Sequence, residues 1–116
     1  MLAKNRRLAK EKDFKKTFKQ GKSFYAKFLA VKALANELAN NRYGLIISAK
    51  VSKKAVERNK LKRQIRAIIK AFEKRLITGH DLIIMVLPAA LGQDYLAVKN
   101  ELEKALAKLK MLRPAK

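Results

Sequence analysis

Basic side chains recur at helical spacing in the middle of the chain. Between residues 50 and 75 the sequence holds eleven Lys and Arg residues against two carboxylates. A helix turns by about 100° per residue, so positions i, i+1, i+4 and i+8 share one stripe. Five polar residues fall on this surface, which we call the basic stripe: Asn59, Lys62, Arg63, Arg66 and Lys70. The other side of the same helix is apolar and is predicted to face the core: Leu61, Ile65, Ile68, Ile69, Phe72 and Leu76.

The chemistry that such a stripe supports is the binding of a polyanion. Solvated helices usually mix both signs of charge, because pairs four residues apart each contribute about 0.2–0.5 kcal/mol. The basic stripe is nearly without carboxylates, so its charges repel one another and a dense anion would stabilise it. The alternative is an ordinary solvated helix surface. We favour the polyanion.

Residue types that carry catalysis are sparse in this sequence. The chain has one histidine, His80, in a Gly-His-Asp turn, and no cysteine. Its nine carboxylates are scattered, and it contains neither a phosphate-binding glycine loop nor a nucleophile motif. A metal site needs three or four protein ligands, which His80 and Asp81 alone cannot supply. The sequence therefore predicts a protein that holds a polyanion, with no catalytic residue and no metal ligand of its own.

Length and charge limit the class of protein further. The 116 residues suit one domain, 1–116, whose ends at 1–10 and 112–116 we expect to be flexible. A formal charge of +20 favours nucleic acid as partner, and 49% hydrophobic residues argue against a disordered tail. No apolar run approaches the roughly 18–20 residues of a membrane span, and no secretory signal is evident. An anionic membrane survives only as a surface for adsorption, and we expect a cytoplasmic location.

A short basic helix is predicted near the beginning of the chain. It covers residues 12–20, ends at Gly21, and brings Phe14 and Phe18 to one face at i, i+4. Five lysines, Lys15 among them, lie between residues 12 and 22. Two interpretations of the rings stay open: both pack into the core, or at least one lines a groove and stacks on a nucleobase.

The remaining elements position these two basic segments. Residues 23–34 and 42–51 are predicted strands that could pair as a hairpin. The basic helix covers 53–76, and the wholly apolar segment 82–87 is a central strand that returns parallel to the hairpin in a βαβ connection. A last helix spans 93–111, with Leu96 among its apolar positions. The predicted order is α-β-β-α-β-α.

The central motif resembles that of a known family. The run Ala-Val-Glu-Arg-Asn-x-x-Lys-Arg-x-x-Arg over residues 55–66 is similar to the "RNR" motif of the bacterial ribonuclease P protein subunit. The glycine-led segment 44–50, the opening Arg7-Leu8, the pattern Asp13-Phe14-x-x-x-Phe18-x-x-Gly21 and Asp81 before an apolar strand match the same family in order. The resemblance therefore spans nearly the whole chain.

The resemblance implies a fold and an activity. The fold is an α+β, compact two-layer α/β sandwich in the order α-β-β-β-α-β-α, like domain 2 of ribosomal protein S5, with a left-handed βαβ crossover and an extra strand near residues 50–53. The activity is removal of the 5′ leader from precursor tRNA by a catalytic RNA that binds Mg²⁺. The protein would be the accessory subunit, a monomer in a 1:1 complex with that RNA.

Site residues follow from the motif positions. The resemblance implies RNA binding by Arg58, Asn59, Lys62, Arg63 and Arg66, and we predict that Lys50, Lys53, Lys54 and Lys70 bind RNA beside them. It implies a cleft for the single-stranded leader lined by Phe14 and Phe18 with the sheet surface, and we predict that Lys15 and Tyr25 belong to the same cleft. Arg58 lies over the apolar arc and not on the basic stripe. Either the helix begins close to it, or it points along the sheet edge towards the cleft, which we favour.

This sequence departs from the family pattern at three places. Ala49 stands where many members have a lysine, Ala67 replaces a frequent glutamate, and Leu87-Pro88 sits where a cation is usual. Two alternatives to the ribonuclease P subunit remain: a ribosomal protein or RNA chaperone of similar fold, and a duplex-DNA-binding helix protein. The latter lacks helix-turn-helix spacing.

Overall fold

Helices and strands alternate along the chain in the order α-β-β-β-α-β-α. The computed structural model describes residue 8 and residues 11–113. The elements are α1 (Glu11–Gln20), β1 (Lys22–Tyr25), β2 (Leu29–Ala35), β3 (Arg42–Ile46), α2 (Ala55–Phe72), β4 (His80–Val86) and α3 (Tyr95–Lys108), with a 3-10 helix at Pro88–Ala90 before α3. This is the mixed α+β order that the resemblance implies.

The four strands form one sheet in the order β1-β2-β4-β3. β1 pairs antiparallel with β2, and β2 pairs antiparallel with β4. β3 and β4 are parallel, which confirms the βαβ connection through α2. The predicted hairpin between β2 and β3 is wrong, because β4 inserts between them. A strand that is apolar on both faces is most stable in the middle of the sheet. The left-handed sense of the crossover stays a prediction.

The predicted strand 23–34 is two strands joined by a tight turn. Ala26 donates its N–H to the Leu29 carbonyl at 2.9 Å, and the Glu101 carboxylate of α3 accepts the N–H groups of Lys27 and Phe28. The extra strand implied by the family comes from this division. It does not come from residues 50–53, because residues 49–51 form a turn.

The core lies between one face of the sheet and the helices α2 and α3. The strand residues that belong to this core alternate along each strand with residues of the other face, and the predicted apolar face of α2 is buried against these core residues. The fully buried members of this core include Leu29, Val31, Ile65, Ile68, Leu76, Leu82, Ile84, Val98, Leu102 and Leu106. The opposite face of the sheet carries Ala30, Lys32, Gly44 and Ile83, and α1 covers part of it.

Helix boundaries differ from the predictions mainly for α2 and α3. The helix α2 ends at Phe72, and Leu76 instead forms a bridge with Leu112 that fastens the C-terminal segment. In α3, Asp94 is the N-cap and accepts the N–H of Ala97 at 2.8 Å. Leu96, one of the apolar positions at helical spacing, is 60% exposed and lies outside the core.

The segments that were expected to be flexible, 1–10 and 112–116, fall largely outside the described residues. Within the described part, Leu8 is buried and donates its N–H to the Tyr43 carbonyl at 2.9 Å. Arg113 donates its N–H to the Arg75 carbonyl. These two residues therefore contact the domain. Among the described helices, none is long and apolar enough to cross a membrane.

Candidate nucleic-acid interface

The basic stripe lies on α2, as its periodicity predicted. The apolar arc packs onto the sheet and α3, which turns the stripe outward. Asn59, Arg63 and Lys70 are exposed, whereas Lys62 and Arg66 lie beside the buried arc and are half-buried. Of the ion pairs formed between described residues, none includes a residue of the stripe. The helix thus presents cations to solvent without local neutralisation.

A turn before α2 adds three more cations. Lys50, Lys53 and Lys54 are all exposed, and Lys54 is the N-cap of α2 with no side-chain hydrogen bond. The turn is held by Ser52, whose hydroxyl donates to the Glu57 carboxylate and accepts the N–H of Lys54. Three lysines are therefore displayed on an ordered support next to the stripe.

Arg58 braces this turn. Its Nη1 donates to the Ser52 carbonyl oxygen at 2.8 Å, and the side chain is half-buried. The helix begins three residues earlier, at Ala55, so Arg58 reaches back over the first turn. The helix therefore begins close to Arg58, as the first alternative stated, and the preferred orientation towards the cleft stays a prediction.

The helix α1 is fixed to the open face of the sheet by an aromatic contact and an ion pair. Phe14 packs so closely on Gly44 that a Cβ atom there would lie 2.6 Å from the ring. Arg42 of β3 donates to Asp13 of α1 at 3.2 Å and to both oxygens of Asp81 at 2.8 and 2.7 Å. Asp81 is buried and also accepts from Asn36.

This polar cluster stabilises the charged form of Arg42. The hydrogen bond with Asp81 raises the pKa of Arg42, and the charges of Asp81 and Asp13 add to it against the opposing effect of burial. The sequence analysis did not predict that Asp13 and Asp81 share Arg42 as a partner. Their pairing through Arg42 joins residues 29 and 39 positions apart, which no local pattern reveals.

The predicted cleft residues divide into two groups. Phe14 is half-buried between α1 and the open face of the sheet, and it lies outside the core that the sheet forms with α2 and α3. Phe18 is 42% exposed and Tyr25, at the end of β1, is 62% exposed. Lys15 is also exposed and pairs with Glu11 on the same helix at 3.1 Å. The structure therefore leaves two rings, Phe18 and Tyr25, available for stacking.

Lys32 is a residue of this face that sequence reasoning missed. It lies in the middle of β2, and its Nζ donates to the Phe18 carbonyl at 2.8 Å while lying 4.4 Å from the centre of the Phe18 ring. A lysine among the small apolar residues of a strand, as in Ala-Val-Lys-Ala, was the available signal.

The described residues do not fit a metal ion. No group of three or more His, Asp or Glu side chains comes together among them. The nearest candidates, Asp13 and Asp81, both accept hydrogen bonds from Arg42.

The fold and the site define a small α+β protein built to bind a polyanion. The sequence pattern of the Ribonuclease P family matches residues 2–110. The ribonuclease P protein component of Synechocystis is 41% identical over 89% of this chain and 84% of its own length. The ribonuclease P protein component of a Cyanothece strain is 39% identical over 97% of this chain and 98% of its own length.

Solved structures agree with the sequence comparison. The RNase P protein of Staphylococcus aureus superposes with a TM-score of 0.85 at 30% identity, covering 93% of this chain and 98% of its own. The RNase P protein of Thermotoga maritima has a TM-score of 0.77 at 28% identity, covering 84% of this chain and 92% of its own. The chain belongs to the ribonuclease P protein family. It is thus a protein subunit of a ribonucleoprotein endonuclease of tRNA processing, and the first of the three functional hypotheses is confirmed.

Proposed function

We propose that this chain binds the catalytic RNA of ribonuclease P through the basic stripe and the preceding lysine turn. The open face of its sheet would bind the 5′ leader of precursor tRNA. The observation that carries the proposal is the exposed, locally unneutralised stripe of α2 in a chain of this family. The protein assists cleavage by holding two RNAs, and the RNA subunit carries out the reaction.

The stripe acts by positioning phosphates. Cations on a rigid helix reduce the repulsion between the catalytic RNA and its substrate, and each phosphate contact releases counterions, with a salt slope of about 0.7–0.9. Arg63 and Arg66 can bind phosphate oxygens through two parallel N–H groups, whereas Lys62 and Lys70 act as point charges. Asn59 adds a neutral donor.

The lysine turn extends this surface beyond the helix. Lys50, Lys53 and Lys54 stand on the segment that Ser52 and Arg58 hold in place. Arg58 therefore contributes mainly by fixing the turn, with its remaining guanidinium donors directed to RNA. The departure at Ala49 leaves Lys50 as the only cation of the expected lysine pair.

The leader is held as a single strand on the open sheet face. Phe18 and Tyr25 stack on bases, a contact worth about 1–3 kcal/mol per base with little demand on sequence. Lys15 neutralises a nearby phosphate, and Phe14 acts indirectly by seating α1 on Gly44. Such recognition suits substrates whose leaders differ in sequence.

Three further features of the complex belong to this proposal. Mg²⁺ is bound mainly by the RNA. The protein is a monomer in a 1:1 complex with the RNA, and it acts in the cytoplasm. These features follow from the family resemblance.

Reconstitution tests the assignment to this reaction. The purified chain alone should cleave no precursor tRNA. Added to its cognate RNA at low Mg²⁺, it should restore cleavage and tighten binding of precursor tRNA. A reconstituted complex that behaves like the RNA alone would refute the proposed function. Ultracentrifugation of the same mixture would report the stoichiometry.

A charge-matched pair of variants tests the stripe. The double variant Arg63→Gln/Lys70→Gln removes two exposed stripe cations, and Lys104→Gln/Lys108→Gln removes two exposed cations from α3. Only the first should lower the salt slope for binding to the catalytic RNA, by about 0.7–0.9 for each lost contact. Equal slopes for both variants would mean that net charge, and not the stripe, drives binding.

A further inference from the structure

Lys32 is held at two points by the last turn of α1. Its Nζ donates to the Phe18 carbonyl oxygen at 2.8 Å and lies 4.4 Å from the centre of the Phe18 ring. The strand β2 places this side chain on the open face of the sheet, beside Ser23 of β1 and Ile83 of β4. The residue is half-buried, and the hydrogen bond of its ammonium is exposed to solvent.

The carbonyl contact has a physical basis in the helix end. The last four carbonyl groups of a helix lack partners within it and carry partial negative charge. In α1 the Thr17 carbonyl accepts the N–H of Gly21, and the Phe18 carbonyl accepts from Lys32. Lys32 of β2 thus caps the C-terminal end of α1 and holds the last turn of the helix against the sheet.

The ring contact fixes the orientation of Phe18. A cation above an aromatic face is attracted by the electron density of the ring. Since Lys32 lies against one face, the exposed part of Phe18 belongs to its other face and edge. A ring held in this way offers one face for stacking on a base.

We propose that Lys32 is a positioning residue for the leader. It orients Phe18 as a stacking platform, and it does not act as a counter-ion for a leader phosphate. This inference rests on the proposed role of Phe18 in binding the leader. Its physical content is that the ammonium already has a carbonyl and a ring as partners, so binding the leader requires no new contact to Lys32.

Two measurements distinguish a positioning role from a phosphate contact. A lysine that binds a phosphate of a single strand contributes about 0.7 to the salt slope, whereas a positioning lysine contributes nothing to it. A positioning lysine also acts only through the ring that it orients. Its effect should therefore disappear when the ring is already absent, as a double-mutant cycle would show.

The experiment uses the reconstituted complex and two ligands, precursor tRNA and mature tRNA without a leader. Lys32→Met should reduce the preference for precursor tRNA by about 2- to 5-fold, the fold-change that corresponds to losing one exposed cation–π contact. Lys32→Arg, which can keep both contacts, should retain the preference. Lys22→Met removes an exposed lysine of the neighbouring strand and serves as the control for charge.

The cycle with Phe18→Leu decides the proposal. We expect Phe18→Leu to reduce the preference, and Lys32→Met to cause no further loss in that background and no change in salt slope. Additive losses with a slope lowered by about 0.7 would overturn the role of Lys32 while leaving that of Phe18 intact. If Phe18→Leu alone has no effect, the leader cleft itself is wrong and this inference fails with it.

Discussion

Removal of the carboxylates around Arg42 should separate stability from leader binding. Asp81 accepts two hydrogen bonds from Arg42 and one from Asn36, and it is 4% exposed. Asp13 accepts one longer bond from the same arginine, and its side chain is 29% exposed. The two carboxylates therefore share one partner but differ in burial and in the element that they fasten.

The expected magnitudes follow from this difference. Asp81→Ala leaves Arg42, whose side chain is 19% exposed, with Asp13 as its one carboxylate, and breaking a buried pair from one side costs about 3–5 kcal/mol. We expect the lower end, about 3 kcal/mol, because Arg42 retains some water contact. Asp13→Ala removes a partly exposed hydrogen bond and should cost about 1 kcal/mol.

Urea unfolding of the free protein measures these losses. The buffer should contain about 0.5 M salt, which screens the self-repulsion of a chain carrying +20 charges. Glu11→Ala is the matched control, because it removes one carboxylate from the same helix as Asp13. Its side chain is 82% exposed, and its pair with Lys15 should contribute less than about 0.5 kcal/mol.

Leader binding should depend more on Asp13 than on Asp81, which is the opposite of their order for stability. Asp13 connects α1, and with it Phe18, to the sheet, so Asp13→Ala should weaken the preference for precursor over mature tRNA in the reconstituted complex. Glu11→Ala should leave that preference unchanged. The reasoning is refuted if Asp81→Ala and Asp13→Ala unfold at the same urea concentration as Glu11→Ala. It is also refuted if loosening Asp13 leaves leader binding intact.

Two other contacts lead to predictions that need only one variant each. Gly44→Ala places a methyl group against Phe14, and displacement of the ring should lower the free energy of unfolding in urea by about 1–3 kcal/mol. The same variant should reduce the preference for precursor over mature tRNA. If neither quantity changes, the ring moves freely. Glu101→Gln weakens the hydrogen-bond acceptor that holds the turn between β1 and β2. Amide hydrogen exchange of Lys27 and Phe28 should therefore become about 5- to 30-fold faster. Unaltered exchange rates would show that the carboxylate is dispensable for the turn.

Local sequence patterns predicted the helical elements well because their signals are local. The spacing of Leu61, Ile65, Ile68 and Phe72 defined the buried face of α2, and Gly21 marked the end of α1. The continuous apolar run of β4 likewise predicted a central strand. Each of these signals depends on residues within a few turns or a few positions of one another.

Contacts between distant residues account for what the sequence did not reveal. The turn that divides the predicted strand 23–34 contains neither Gly nor Pro, and it is held by Glu101, which lies 73 positions after Phe28. The hairpin prediction failed because pairing between neighbouring strands in the sequence competes with insertion of β4. The order of the strands depends on which strand faces must be buried, and those faces are known only once the helices are packed on the sheet.

The amino-acid sequence by itself determined the excess of positive charge, the basic stripe and the motif that places the chain in its family. Only the tertiary structure decided which of the candidate side chains are exposed to solvent. Arg58 is engaged by Ser52 and Phe14 by Gly44, whereas Phe18 and Tyr25 remain exposed. The reason is physical: a side chain's type is encoded at its own position, but its exposure depends on the residues that folding brings against it.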